Sequence, residues 1–495
     1  MATTGSDSNP GTLALPFRTV QRGAEAAQAG DLVTVHAGVY RERVHPATSG
    51  VTFQAAPGDA VTLSGAEPVT GWVHVAASTW MAALPSYEFF GVFNPYMDRI
   101  RGDWFNEEGR VHHTGAVYFG DEWLDEAPTL AAALAPLAPG AAPQWFATVD
   151  GDAGQYLANL LWIAPRGGAA VSAGLPSWRY GSKPYNATPG GPCAAFIYGG
   201  DVLRFDAVDF GSGSGAAALD MALAAGTPGG GAVVEVHEGD RWGALLGRVA
   251  VPATGGWEAW ANFSVPLAPA LTGAHTLSLV FLPPNYTGGS TRIYAQVPPG
   301  VDPNAGGAEV NVRQSVLYPD APYVDNITVR GFTLERAATQ WAPPSSEQVG
   351  LIGTHWSAGW VIEGNEVRHS RCSCVALGKY GDGYDNTNDQ GQADPYTACV
   401  YRALQNGWHK GVVGGHVVRN NTIHHCGQTG VVGSLGGAFS VVADNEIHDC
   451  NWGQTFAGAE MACVKLHGAV DTVISGNHLH NCSAYGIWLD WMAQG

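Results

Sequence analysis

In its last third the chain alternates aliphatic with small or polar residues in short stretches, and those stretches recur. Asn365, Asn421, Asn445 and Asn477 each open an Asn-x-(Val/Ile/Leu) strand. About ten residues later comes a second strand: Cys374-Val375-Ala376-Leu377-Gly378, Gly430-Val431-Val432-Gly433-Ser434, Cys463-Val464-Lys465-Leu466-His467 and Gly486-Ile487-Trp488-Leu489-Asp490. Alternation with period two marks strands, and self-similarity at a fixed spacing with Asn and Gly at the corners marks a solenoid. Asn421 and Asn445 stand 24 residues apart and His467 and Asp490 stand 23 apart, each close to one coil of a right-handed parallel β-helix. The longer interval from Asn365 to Asn421 marks a coil that carries a loop.

The rest of the chain divides by texture. Residues 11–75 read as an N-terminal cap, a short helix feeding strands such as Leu32-Val33-Thr34-Val35, followed by the first coils. Residues 76–199 lose the pattern and read as aromatic-rich arms around the helix. Residues 200–284 alternate strongly, as in Val202–Phe205, Val233–Val236, Gly247–Val251 and Thr276–Phe281, which predicts an inserted β-sandwich with Trp257 and Trp260 as core aromatics. Residues 285–495 read as β-helix coils carrying the active site, with Gly383 to Gly411 as an extended loop. Gly495 follows a strand directly and leaves its coil uncapped, so the chain is expected to be C-terminally truncated. The fold class is all-β.

Composition narrows the function. The 67 glycines and 14% charged residues suit a turn-dense β architecture, and 45% hydrophobic residues suit a packed one. A formal charge of −19 lacks the clustered cations that phosphates require, which excludes nucleic acid and anionic membranes as partners and favours a neutral ligand. No stretch approaches the roughly 18 apolar residues of a membrane span. The opening Met-Ala-Thr-Thr-Gly-Ser has no secretory signal, which leaves a cytoplasmic protein or a secreted one with a missing N-terminus. Cys426, Cys450 and Cys482 each lie five residues after a corner Asn and read as an interior stack of free thiols. His424, His425, His448, His478 and His480 follow the same repeat and read as stacked or solvated side chains rather than metal ligands. No metal or cofactor is expected.

Aligning the four strand copies puts Gly378, Ser434, His467 and Asp490 in one column. Ala376, Val432, Lys465 and Trp488 form a second column on the same outward face, with rungs about 4.7–4.9 Å apart. Lys465, His467, Trp488 and Asp490 are therefore presented together, an aromatic platform beside a carboxylate, a cation and an imidazole, which suits a sugar. Asp490 is the catalytic candidate. Retaining glycosidases pair two carboxyl groups about 5–5.5 Å apart, so a partner is expected one coil beyond Asp490 or at Glu460 in the loop Gly458-Ala459-Glu460-Met461.

Several blocks resemble glycoside hydrolase family 120: Gly102-Asp103-Trp104-Phe105-Asn106, His112 to Tyr118, Thr339 to Pro344, Gly350-Leu351-Ile352-Gly353-Thr354-His355-Trp356, Leu377-Gly378-Lys379-Tyr380-Gly381-Asp382 and Trp488-Leu489-Asp490-Trp491. Asp209-Phe210-Gly211 and Gly273-Ala274-His275 resemble the jelly roll of family 6 carbohydrate-binding modules. The first resemblance implies a pectin-lyase-like solenoid with a jelly-roll insertion and retaining release of xylose from β-1,4-xylo-oligosaccharides. It implies Asp490 as nucleophile, Glu460 as a further active-site carboxylate, and an acid/base Glu about one coil after Asp490, outside these residues. Lys465, His467, Trp488, Lys379 and His355 complete the substrate-binding candidates. The expected partner is a xylo-oligosaccharide or related neutral glycan; a homo-oligomer is compatible with the sequence.

Two alternatives remain open. A β-helix polysaccharide lyase would use Lys465 or Lys379 as base and would need Asp or Glu clustered with the lysine to bind calcium, which the two columns lack. A non-catalytic carbohydrate-binding β-helix protein would bind sugar without turning it over.

Overall fold

The structure is a computed structural model; it describes the chain apart from residues 92, 150–155, 159–160, 163–177, 181–182, 186–192, 196, 199–201, 212–214, 224–230, 240–243, 256–258, 260, 283–289, 299, 383–384, 387–393 and 495. It separates into two compact units: residues 1–84, 94–148 and 292–495, and residues 85–93 with 149–291.

The first unit is a parallel β-helix. Two of its faces are seven-stranded parallel sheets, and the third is a five-stranded one. The first sheet runs through Leu32–Val35, Thr52–Ala55, Thr328–Arg330, Val361–Glu363, Val417–Arg419, Val441–Ala443 and Val473–Ser475. The second runs from Gly38–Tyr40 through Glu366–Ser370, Thr422–Cys426 and Glu446–Cys450 to His478–His480. The third comprises Ile352–Gly353, Val375–Ala376, Thr429–Ser434, Ala462–His467 and Ile487–Leu489.

Aliphatic residues fill the interior because each strand turns every second side chain inward. Phe53, Val329, Ile362, Val418, Val442 and Ile474 are in register on one wall, and Leu63, Leu334, Val367, Ile423, Ile447 and Leu479 on the next. The corner between these walls needs a left-handed residue, supplied by Gly364, Asn420, Asp444 and Gly476 with φ of 53–66°. The Asn that follows stacks on its neighbours. The Asn365 amide N–H and side-chain Nδ2 donate to Asn421 Oδ1 at 3.0 and 3.1 Å, and the same pair of bonds joins Asn421 to Asn445 and Asn445 to Asn477.

Two expectations are corrected here. The interior cysteines are not all free thiols: Cys374 is bonded to Cys426 and Cys463 to Cys482, with Cα–Cα distances of 5.7 and 5.8 Å, while Cys450 stays free. The end of a second-sheet strand and the start of a third-sheet strand meet across a corner at disulfide range, a proximity that sequence separations of 52 and 19 do not reveal. The stretch from 383 to 411 is not a plain loop, since Asp394–Gln405 is a 12-residue helix.

The second unit is a β-sandwich of two five-stranded antiparallel sheets. Val202–Asp209, Gly231–Glu238, Leu245–Pro252 and Ala274–Leu282 form most of one; Ala216–Leu223 and Ala261–Leu271 lie in the other. Leu203, Met221, Val234, Val236, Val265, Leu279 and Phe281 form its core. The sandwich is wider than residues 200–284, because Leu161–Trp162 pairs with Ala222 and Leu223 and Trp178–Tyr180 pairs with Val202–Arg204. Trp257 lies outside the described residues, as does Trp260. No helix among the described residues is long and apolar enough to cross a membrane.

Candidate active site

The third sheet carries the candidate residues Lys465, His467, Trp488 and Asp490. Ala376 pairs with Val432, Val432 with Lys465 and Lys465 with Trp488, while Ser434 pairs with His467. The amide of Asp490 donates to Leu466 O at 2.9 Å and holds the carboxylate at the end of that rung. These side chains point away from the solenoid interior, yet Ala376, Val432 and Lys465 are almost wholly buried, because other segments of the chain cover this face.

Lys465 Nζ lies 2.5 Å from Asp490 Oδ2, 3.4 Å from Glu460 Oε2 and 3.2 Å from the centre of the Trp488 ring. His467 Nε2 lies 3.1 Å from Glu460 Oε2 and 3.5 Å from Asp490 Oδ2. Burial pushes the Asp490 carboxyl up. The Lys465 hydrogen bond, the charges of His467 and Lys465, and the Trp491 N–H at 2.8 Å on Oδ1 outweigh it and hold the group below the usual aspartate value. Asp490 is therefore an ionised carboxylate with a fifth of its side chain exposed, suited to nucleophilic attack.

Glu460 is held by its backbone. Its carbonyl accepts from Gln428 Nε2 and Thr429 Oγ1, both at 3.0 Å, and Ala457–Gly458 pairs antiparallel with Phe105–Asn106. Gly458 is required there, since a Cβ would stand 2.5 Å from the Trp341 ring and 2.7 Å from Trp104 O. The blocks around Trp104 and Trp341 thus act by placing the Glu460 loop. The Trp341 indole N–H donates to Asp103 O at 3.0 Å, and Ser345 Oγ bonds the Asp103 carboxylate.

Tyr396 was not legible as a site residue. It lies on the 394–405 helix, inside the stretch read as a loop, and its ring packs edge-on to His467 with centroids 4.9 Å apart. Tyr396 is buried, which raises its phenol well above the ordinary value.

The structure does not bring Lys379 and His355 to Asp490. They belong to the fourth and third coils, three and four rungs away, or about 14 and 19 Å at the usual strand spacing. Lys379 Nζ is fully buried, 2.8 Å from Asp385 Oδ1 and 3.5 Å from Asp382 Oδ2. His355 stacks on Tyr318, and its Nε2 lies 3.5 Å from Glu347 Oε1. Arg402, on the same helix as Tyr396, donates to Asp382 Oδ2 at 2.9 Å, so one helix reaches both clusters.

The columns themselves supply one carboxylate, Asp490; a loop adds Glu460 at Lys465, and Asp382 and Asp385 lie at Lys379. Each lysine ion-pairs with its two carboxylates. Burial alone would lower the Lys379 pKa, but Asp385 and Asp382 raise it, which makes a poor proton-abstracting base. Glu460, His467 and Asp490 offer ligand atoms within 4.8 Å of one another, but the Lys465 ammonium already contacts both carboxylates.

Residues 353–494 match the family model for a right-handed β-helix region, residues 69–166 that for the glycoside hydrolase 120 insertion domain, and residues 173–287 that for a family 6 carbohydrate-binding module. A solved structure, the complex of XylC with xylose, is 29% identical with a TM-score of 0.66 over 100% of this chain and 60% of its own. This chain therefore spans about three fifths of XylC's length. A family 6 module from Clostridium cellulolyticum in complex with xylose is 26% identical over 25% of this chain and 92% of its own, with a TM-score of 0.21.

Fold and matches define a right-handed β-helix with an inserted β-sandwich. Within that class the chain is similar to glycoside hydrolase family 120, through the match to its insertion domain and the likeness to XylC.

Proposed function

We propose that the protein is a retaining exo-glycosidase of the β-xylosidase type, releasing xylose from β-1,4-xylo-oligosaccharides. The observation that carries this reading is the Asp490 carboxylate, kept ionised by Lys465 and His467 beside the Trp488 ring. Asp490 attacks the anomeric carbon, the glycosidic bond breaks as an acid protonates the departing oxygen, and water then hydrolyses the glycosyl-enzyme. Lys465, His467 and Glu460 hold sugar hydroxyls, and Trp488 stacks on the ring. The acid/base is proposed to be a Glu on a following coil, as the family resemblance implies, stacked near the separation that retention requires. Glu460 is the alternative inside these residues, because one of its oxygens lies within 4.8 Å of an Asp490 oxygen. XylC was solved as a complex with xylose, which supports the choice of pentose.

A 2-fluoro-xylosyl mechanism probe tests the assignment, using this chain and a version extended by the following coils. The expected result is a covalent adduct on Asp490 and none in Asp490→Asn, with turnover reduced about 10⁴-fold or more. An adduct on another residue would remove Asp490 from the role. Full multiple turnover by the 495 residues alone would move the acid/base assignment to Glu460.

A further inference from the structure

The outer face of the second sheet carries a row of imidazoles. His424, His448 and His480 are in register on successive coils. The His424 and His448 rings lie 4.9 Å apart at 2°, and those of His448 and His480 lie 4.7 Å apart at 4°. Two residues earlier on each strand, Thr422, Glu446 and His478 form the adjoining row. Glu446 Oε1 lies 3.5 Å from His480 Nε2 and 3.7 Å from His478 Nδ1.

Stacking alone follows from the strand spacing, but the hydrogen bonding adds something. His448 Nδ1 lies 2.6 Å from Asp449 Oδ2, and a carboxylate acceptor there puts the proton on Nδ1 and leaves the Nε2 lone pair free. A carboxylate behind an imidazole is the usual support for a metal-ligating histidine. One ligand atom each from Glu446, His448 and His480 lies within 4.8 Å of the other two. Two other described clusters share that spacing, and both are occupied: Lys465 sits at Glu460 and Asp490, and Cys463 and Cys482 are joined in a disulfide beside Cys450. Glu446 is about half exposed, so an ion reaches this cluster from solvent and small side-chain rotations close it.

We propose that Glu446, His448 and His480, with His478 as a fourth donor, bind one divalent transition-metal ion of the Zn²⁺ type. Two or three imidazoles and one carboxylate suit such an ion better than Ca²⁺ or Mg²⁺, which take oxygen ligands. The ion joins Glu446–Cys450 to His478–His480 and so clamps the sixth coil to the seventh, which carries Asp490.

The test is titration of untagged, metal-stripped protein with Co²⁺, followed by its visible absorption, and with Zn²⁺, followed by calorimetry and thermal unfolding. One equivalent should bind and raise Tm by mass action. His448→Ala with His480→Ala should abolish both effects, and Asp449→Asn should weaken binding about 10–100-fold. Glu446→Gln changes only an exposed carboxylate and keeps the test valid if the double variant misfolds; it too should weaken binding. His467→Ala should leave the stoichiometry at one. The proposal is overturned by absence of saturable binding, by binding indifferent to Glu446→Gln and the double histidine variant, or by binding lost in His467→Ala.

Discussion

Lys465 Nζ bridges Asp490 Oδ2, at 2.5 Å on the next rung, and Glu460 Oε2, at 3.4 Å on the preceding loop. One buried cation thus serves two carboxylates, and the register of the third sheet sets where it stands. A two-residue slip along that strand would take the ammonium out of reach of both.

Lys465→Met keeps the length of the side chain and removes its charge. Asp490 then loses its strongest hydrogen bond to the ionised form, so its pKa rises and the acid limb of kcat/KM moves to higher pH. The linkage has the matching sign. A depressed aspartate contributes stability above its unfolded value and loses it as pH falls through the folded one, so in the variant the acid-side loss begins at higher pH. Leaving Glu460 and the partly exposed Asp490 without their cation should cost about 3–5 kcal/mol in urea unfolding. An unmoved acid limb would dissociate Lys465 from Asp490, the proposed nucleophile.

Tyr396 should act through His467. Tyr396→Ala opens a cavity against the imidazole and should cost about 3–5 kcal/mol of stability, as large aromatic truncations do. Tyr396→Phe keeps the ring contact and should stay close to wild type in stability. If positioning of His467 is the role, Tyr396→Ala lowers kcat more than it raises KM for an aryl β-xyloside, while Tyr396→Phe restores most of the loss. A stability loss with kcat unchanged in folded Tyr396→Ala would make the residue purely structural.

The columns on the third sheet were readable because alternation ties every second residue to one face and a fixed coil length ties the rungs together. Lys465, Trp488 and Ala376 stand where that arithmetic puts them. Tyr396 was hidden because its position depends on how a whole excursion folds back over the sheet, and no periodic signal records that. Lys379 and His355 entered the candidate site through motif likeness, which carries no distance; the rung count separates them from Asp490. The Cys374–Cys426 and Cys463–Cys482 pairs depend on which coil faces which across a corner, a tertiary relation invisible in spacings measured from Asn.

Each asparagine of the row should stabilise its corner according to how far its amide is buried. Asn421 is almost wholly buried; its Oδ1 accepts two bonds from Asn365, and its Nδ2 donates to Ile362 O at 2.9 Å and Asn445 Oδ1 at 3.0 Å. In Asn421→Ala, Asn365 Nδ2 keeps Val329 O and Asn445 Oδ1 keeps the Asn421 amide. The Asn365 amide loses its partner inside the corner, while the Ile362 carbonyl keeps the ladder bond set by the Glu363–Arg419 pairing. One unsatisfied buried donor should cost about 1–3 kcal/mol. Asn477 is only partly buried, so water replaces much of what Asn477→Ala removes and the cost should be clearly smaller. Denaturant midpoints of the two variants, compared at constant m, decide the matter. Equal losses at 421 and 477 would show that the row contributes through local corner geometry rather than through buried hydrogen bonds.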